Sequence, residues 1–268
     1  MTAVSSPVSS APSGSVSTVQ KIRDTVGSLI EQHFKTTLGS EQGVVDYVMA
    51  LIQKESSRNP STPAGPLISD LSSSRALDYM NSPAVQALNL TSTPFQRRNI
   101  QDGKRAHGLM QVMGWNIVKG GSAKNQKCEF EQLGRPDLTR RFLVNAGDPI
   151  REVLSGPDNI ENSVLAGLLI LESKWKACHT VPGGWSAGGE TFPSRLYCAV
   201  GAYNGAVKAT SSRATEVRAY AASIMGGKSF LEANNGQTGT VSQVKTASAA
   251  SSGPSTNGSG QKGEVVGC

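Results

Sequence analysis

Apolar residues recur at spacings of three and four through the middle of the chain, the rhythm of amphipathic helices. The first stripe consists of Val19, Ile22, Val26, Leu29, Ile30 and Phe34. A second stripe, between Val44 and Ile52, follows Ser40, which we expect to be the N-cap of its helix. Pro60 and Pro63 forbid continuation, so the pattern predicts that this second helix ends near Glu55.

The segment between Asn162 and Cys178 is apolar nearly all the way round, which predicts the central buried helix of the domain. Its small Ala166 and Gly167 allow another part of the chain to approach closely. Residues 194–209 and 213–225 also have helical periodicity, and Tyr220 lies in the apolar stripe of the latter. Because strand signals are weak throughout, we predict a mainly α-helical domain.

Gly, Pro and Ser interrupt the helices in two long stretches, residues 61–105 and 120–157. Both are longer than a compact domain usually needs as plain loop, so we expect insertions that contain short helices, one of them around Ala84 to Leu88, and that line a groove. Residues 1–17 and 227–268 have almost no core-forming side chains and are predicted to be flexible tails. The predicted globular domain therefore covers residues 18–226.

A formal charge of +6 suits an anionic polymer or surface but does not select one. The basic pairs at 97–98, 104–105 and 140–141 lack interleaved aromatic residues, and we interpret them as solvated, without specific nucleic-acid binding. No apolar run has the length of a transmembrane span, and the start of the chain lacks the pattern of a signal peptide.

The four cysteines form no CxxC pair, and His179 beside Cys178 completes no zinc pattern, so no metal or cofactor is predicted. For Cys178 and Cys198 two alternatives are open. They could form a disulfide that closes the Gly-rich loop between them, or they could be free thiols. We favour free thiols, as in a reducing cytoplasm.

Glu55 is the one carboxylate at the end of the second helix, and two interpretations compete for it. It could be a solvated residue at a helix end. Alternatively, it could be a general acid, because the negative end of the helix dipole and the apolar inward face would both raise its pKa.

Three further stretches favour the second interpretation. They are Gly108-Leu109-Met110-Gln111, Asp158 to Asn162 with Ala166-Gly167 beyond it, and Ala202-Tyr203-Asn204. In this order after Glu55-Ser56, they resemble the soluble lytic transglycosylases, a lysozyme-like family that cleaves peptidoglycan. The sequence departs from that family at Asn159, where Pro is usual, at Leu169, where an aromatic residue is common, and in the long stretch between Glu55 and Gly108.

The resemblance implies an α+β lysozyme-like fold in which Glu55 is the single catalytic acid/base. It cleaves the bond between N-acetylmuramic acid and N-acetylglucosamine, forms a 1,6-anhydro ring and needs no cofactor. Substrate-binding roles are implied for Ser56, Met110, Gln111, Tyr203 and Asn204. Within this set, Met110 would be an apolar platform for a sugar ring, Gln111 and Asn204 would hydrogen-bond sugar, and Tyr203 would hydrogen-bond Glu55.

Two alternatives stay open beside this interpretation: a hydrolytic lysozyme of the goose type, and a non-catalytic wall-binding or assembly module of the same fold. The expected partner is the peptidoglycan glycan strand, with other virion or secretion-machine proteins as further candidates. Without a signal-peptide pattern, we expect delivery inside a phage particle for wall opening during genome entry, or export to the periplasm by a secretion machine.

Overall fold

The computed structural model describes residues 17–68, 73–187, 190–203 and 211–226, without the side chains of residues 190 and 211–216. The predicted tails lie outside this part of the chain, apart from Ser17. The described residues are mostly helical with five short strands, as the periodicity predicts. Among them, no helix combines the length and apolar character that crossing a membrane requires.

The described residues contain eleven α-helices. The helices are α1 (Thr18–His33), α2 (Val44–Ser56), α3 (Ser74–Met80), α4 (Pro83–Asn89), α5 (Pro94–Asp102), α6 (Glu129–Gln132), α7 (Pro136–Thr139), α8 (Arg151–Leu154), α9 (Ile160–Ala177), α10 (Arg195–Tyr203) and α11 (Ser211–Met225). Strands β1 (Ala106–His107) and β2 (Val112–Met113) form an antiparallel hairpin, and β3 (His179–Val181), β4 (Gly184–Ala187) and β5 (Glu190–Phe192) form an antiparallel sheet in that order.

The first two helices follow the predicted stripes, with one error at each start. In α1 the stripe is buried from Ile22 onward, whereas Val19 is 41% exposed. The prediction that Ser40 caps α2 is wrong, because Ser40 closes a short 3₁₀ turn instead. Gly43, with a φ of 71°, then redirects the chain so that α2 begins at Val44.

Helix α9 is the centre of the fold, as its apolar composition predicts. It is buried on most of its surface and packs against α1, α8, α10 and β2. Gly167 allows the closest approach, since a Cβ there would lie 2.2 Å from the sulfur of Met110. The small residue in α9 thus makes room for the hairpin between β1 and β2.

The two predicted insertions contain α3 to α8 and pack against each other as one unit, which we call the inserted lobe (residues 73–102 and 120–154). Helix α4 corresponds to the short helix expected around Ala84 to Leu88. Asp78 joins the two stretches, because it accepts a hydrogen bond of 2.6 Å from Ser122 and one of 2.8 Å from the backbone of Lys124. Asn99 adds a third link by donating to the carbonyl of Gly147 at 2.9 Å.

The sheet of β3 to β5 is fixed to the helices by a disulfide and a stacked arginine. Cys178 and Cys198 form a disulfide, so the expectation of two free thiols is wrong for this pair. The bond forms because α9 ends where α10 runs back alongside it. The guanidinium of Arg195 lies 3.4 Å from the ring centre of Trp175 and 4.9 Å from that of Trp185.

Candidate active site

Glu55 lies in the last turn of α2 and is half-buried. The inward face of the same helix consists of buried apolar residues, among them Leu51 and Ile52. Removal from water disfavours the ionised carboxylate, and this burial raises the pKa of Glu55 above its ordinary value of 4.5. A hydrogen bond from Tyr220 and the charge of Lys54 act in the opposite direction but do not cancel the rise.

The hydrogen-bond partner of Glu55 is Tyr220, whose hydroxyl donates to the carboxylate Oε1. Tyr220 lies on α11, which packs directly against α2. Burial and the nearby carboxylate raise the pKa of Tyr220, so the phenol is a neutral donor at neutral pH. The sequence pattern placed Tyr220 in an apolar stripe and assigned it no role in the site. A hydroxyl group in an otherwise apolar stripe was the signal that could have identified it as a hydrogen-bond donor.

The Gly108–Gln111 stretch is the turn of the β1–β2 hairpin. Gly108 has a φ of 74°, and a Cβ there would lie 2.2 Å from the hydroxyl oxygen of Ser163 on α9. That hydroxyl accepts a 2.6 Å hydrogen bond from the backbone of Leu109. Glycine is therefore required at this turn, and Ser163 on α9 holds the turn in place.

Tyr203, at the end of α10, contacts this turn. Its hydroxyl donates a hydrogen bond of 2.8 Å to the carbonyl of Met110, so the expected hydrogen bond from Tyr203 to Glu55 is wrong. Burial raises the pKa of the Tyr203 phenol, and the charges of Glu55 and Glu129 add to the rise. The structure thus brings together the hairpin turn, the first half of α9 and the end of α10, while Glu55 contacts Tyr220 on α11.

No protein-family model, curated protein or solved structure matches this chain. The chemistry of the residues around Glu55 is therefore the basis for any function.

Two of the residues predicted to bind substrate have buried side chains with roles in packing. Ser56 is 5% exposed, and its hydroxyl donates to the Ile52 carbonyl at 2.9 Å within α2. Met110 is fully buried against Gly167, so it is not an open platform for a sugar ring. Ser56 therefore contributes to α2, and Met110 to the packing of the hairpin turn against α9.

Gln111, like Tyr203, is a predicted substrate-binding residue that stays partly accessible. Its side-chain nitrogen donates to the carbonyl of Gly108 at 2.9 Å, which closes the turn. Its amide oxygen lies on the side of Gly65, since a Cβ at Gly65 would be 3.5 Å from it. Asn204, the remaining predicted residue, lies outside the described residues.

The segment after Pro60 runs beside the hairpin. The backbone of Gly65 donates to the carbonyl of Ala106 at 2.9 Å, and that of Ile68 donates to Lys104 at 3.0 Å. Arg105 reaches back to the carbonyl of Gly65 at 3.0 Å. This segment therefore lies alongside β1, with Gly65 close to the side chain of Gln111.

Four other carboxylates of the described residues are each paired with a cation. Asp46 pairs with Arg23, Glu161 with Arg141, Asp102 with Arg151, and Glu172 with Lys176. Among the described residues, the ion pairs include none to Glu55, so Glu55 differs from these four in facing a neutral donor.

Glu55 lines neither of two surface depressions of the described structure. One surface depression runs along α1, where Lys21, Asp24 and Glu161 line it, and another lies beside α5, where Phe95, Arg98 and Arg151 contribute. Within the described residues, no group of three or more His, Cys, Asp and Glu side chains is arranged to hold a metal ion.

Proposed function

We propose that this chain is a peptidoglycan lytic transglycosylase of lysozyme-like fold, with Glu55 as its single acid/base. The observation that carries the proposal is a half-buried carboxyl whose pKa is raised and whose partner is the neutral hydroxyl of Tyr220. A general acid that works near neutral pH needs this combination. The Gly108–Gln111 turn, held by α9 and Tyr203, is the proposed sugar-binding neighbour of the carboxyl.

The proposed reaction begins with protonated Glu55 donating its proton to the glycosidic oxygen between N-acetylmuramic acid and N-acetylglucosamine. As the bond from C1 to that oxygen breaks, the acetamido oxygen of the muramyl residue forms a bond to C1. Glu55, now a carboxylate, removes the proton from the C6 hydroxyl, and O6 attacks C1 and displaces the acetamido oxygen. The product is a 1,6-anhydro ring, and Glu55 ends protonated, ready for the next cycle.

This scheme needs one carboxyl, whereas most glycosidases use two. The ion pairs of Asp46, Asp102, Glu161 and Glu172 support a single-carboxyl scheme, since each of these acids already has a cationic partner. Tyr220 limits the rise in the pKa of Glu55, which keeps the residue able to act as a base after it has acted as an acid. Gln111 and Asn204 are the proposed hydrogen-bonding contacts to sugar.

We place the enzyme outside the cytoplasm, as a virion-associated protein that opens the wall during phage genome entry or as an exported periplasmic protein. The Cys178–Cys198 disulfide supports this location, because such bonds persist in oxidising compartments. Virion or secretion-machine proteins are the corresponding partners.

The test is release of soluble muropeptides from purified sacculi by the parent, by Glu55→Gln and by Glu31→Gln. Glu31 is a matched control on α1 with a 66% exposed side chain. Loss of a general acid lowers rates by about a hundred- to ten-thousandfold, and we expect a loss in that range for Glu55→Gln alone. Release by Glu55→Gln at the parent's rate would rule out Glu55 as the acid.

A further inference from the structure

The turn between α4 and α5 exposes two large apolar side chains. Leu90 is 86% exposed and Phe95 is 50% exposed, the two highest values among the large apolar residues of the described structure. They flank the same turn, which we call the tip (residues 90–95). A pair of such side chains at one point of the surface calls for a partner, unlike single exposed residues scattered over a protein.

The tip is rigid, so the exposure is not that of a loose loop. Thr93 and Gln96 form a reciprocal capping box at the start of α5, with Pro94 at the first helical position. Arg97 donates to the carbonyl of Ser92 at 2.5 Å and closes the turn. Leu90 and Phe95 are therefore held outward by ordered structure.

Basic residues outnumber acids in the chain that follows the tip, and the exposed acid beside Phe95 and Arg98 is Glu152. Arg97 and Arg98 follow it directly, and the chain contains no Asp or Glu from residue 79 to residue 101. From residue 79 to residue 128 there are seven Lys or Arg and a single acid, Asp102. Asp102 is buried and paired with Arg151 at 3.0 Å, so it does not offset the charge at the surface.

We propose that this tip docks on an anionic lipid surface. Leu90 and Phe95 would enter the boundary between headgroups and acyl chains, with Arg97 and Arg98 at the level of the phosphates. A glycan fits less well, because the Arg98 guanidinium lies 5.3 Å from the centre of the Phe95 ring and covers one face on which a sugar would stack. This inference goes beyond the proposed function and does not depend on it.

The experiment is sedimentation of the full chain with vesicles of phosphatidylcholine alone and of phosphatidylcholine with about 30% phosphatidylglycerol. We expect binding to the anionic vesicles only, weakening as salt is raised. The Leu90→Ser/Phe95→Ser variant should bind at least about tenfold more weakly, since it loses the inserted apolar groups. Arg98→Gln, which leaves the hydrogen bond from Arg97 to Ser92 in place, should lose about fivefold at low salt, at about 1 kcal/mol per charge.

The matched control is Val19→Ser/Leu77→Ser, which removes the two other exposed large apolar side chains, 41% and 37% exposed. This control should bind vesicles like the parent. Failure of the parent to bind anionic vesicles at low salt, or equal binding by the Leu90→Ser/Phe95→Ser variant, would overturn the proposal. So would binding through the tip to a protein or to sacculi without binding to vesicles. Muropeptide release from detached sacculi should be the same for the tip variant and the parent, which separates this test from that of Glu55.

Discussion

Glu55 and Glu172 are both carboxylates near the C-terminal ends of helices, but their surroundings differ in kind. Glu172, on α9, is 5% exposed and lies among Thr37 at 2.9 Å, Lys176 at 3.1 Å and Arg135 at 3.9 Å. Glu55, on α2, is half-buried and receives its hydrogen bond from the neutral Tyr220. The first carboxylate ties α9 to its neighbours through charge, whereas the second is removed from water without a matching cation among the described ion pairs.

This contrast suggests different roles for the two carboxylates: Glu172 in the stability of the fold and Glu55 in the proposed chemistry. A buried carboxylate that is paired with cations contributes to packing between elements through its ion pairs. A buried carboxylate with a neutral donor is better suited to proton transfer near neutral pH, because burial raises its pKa while the hydroxyl keeps it hydrogen-bonded. Substitutions at the two carboxylates and at Tyr220 should therefore have separable effects on rate and on stability.

The largest effect should come from exchanging each carboxyl for an amide and measuring muropeptide release. Glu55→Gln should lose about a hundred- to ten-thousandfold in rate, because the amide cannot donate the proton. Glu172→Gln should release muropeptides within a few-fold of the parent, since its carboxylate belongs to an ion-pair cluster away from the proposed chemistry. A comparable loss of rate in folded Glu172→Gln would remove the distinction between the two sites.

For the free energy of unfolding, Glu172→Gln should have the larger effect and Glu55→Gln the smaller. Glu172→Gln should lower the free energy of unfolding by about 1–2 kcal/mol, because Thr37, Lys176 and Arg135 lose a buried charged acceptor while the cations stay partly solvated. Glu55→Gln should be as stable as the parent or more stable at pH 7. Urea unfolding of both variants, with Glu31→Gln as the exposed control, measures this; marked destabilisation by Glu55→Gln would contradict it.

The pH dependence of the parent's stability follows from the raised pKa of Glu55. Because the folded pKa lies above 4.5, the contribution of Glu55 to stability is fully present below that value and is lost as pH rises through the folded pKa. The stability advantage of Glu55→Gln over the parent should therefore grow from pH 4 to pH 7. Each tenfold difference in proton affinity between the folded and the unfolded chain adds about 1.4 kcal/mol to that advantage. Urea unfolding across this pH range measures it, and an advantage that shrinks with rising pH would show that the folded pKa is lowered instead.

A smaller effect should come from Tyr220→Phe, which removes the hydroxyl and keeps the ring. The lost hydrogen bond had favoured the ionised carboxylate, so the pKa of Glu55 should rise further. The alkaline limb of the rate profile should move to higher pH, and the rate at the optimum should fall about tenfold as the carboxyl loses its orientation. Tyr197→Phe, on α10 and half-buried, is the control. An unchanged pH profile in Tyr220→Phe would show that the hydroxyl does not tune Glu55.

Helical periodicity was sufficient for the long elements of this fold. The stripe from Ile22 to Phe34, the all-round apolar run of α9 and the stripe of α11 each bury the residues that their spacing selects. Local chemistry misled at the start of α2, because the 3₁₀ turn at Ser40 and the left-handed Gly43 compete with an N-cap that looks adequate in the sequence. The disulfide depends on how α10 returns along α9, which cysteine spacing alone does not determine.

The position of Glu55 at the end of a helix could be predicted from the sequence, but the contacts of the candidate site could not. Tyr220 and Glu55 are 165 positions apart, and their hydrogen bond exists only because α11 docks on α2. The same kind of packing turns Met110 inward, since Gly167 leaves space for its side chain, and directs the hydroxyl of Tyr203 to the backbone of the turn. These are consequences of tertiary packing, and no local pattern reports them.

In the proposed reaction Glu55 alone acts as acid and base, and the cleavage consumes no water. The decisive measurement is mass spectrometry of the muropeptides that the parent releases from purified sacculi, with Glu55→Gln as the inactive reference. We predict products that end in 1,6-anhydro-N-acetylmuramic acid, lighter by one water than hydrolysis products, and none from Glu55→Gln. Products with reducing muramyl ends would instead identify a hydrolase, and anhydro products from folded Glu55→Gln at the parent's rate would contradict the role of Glu55.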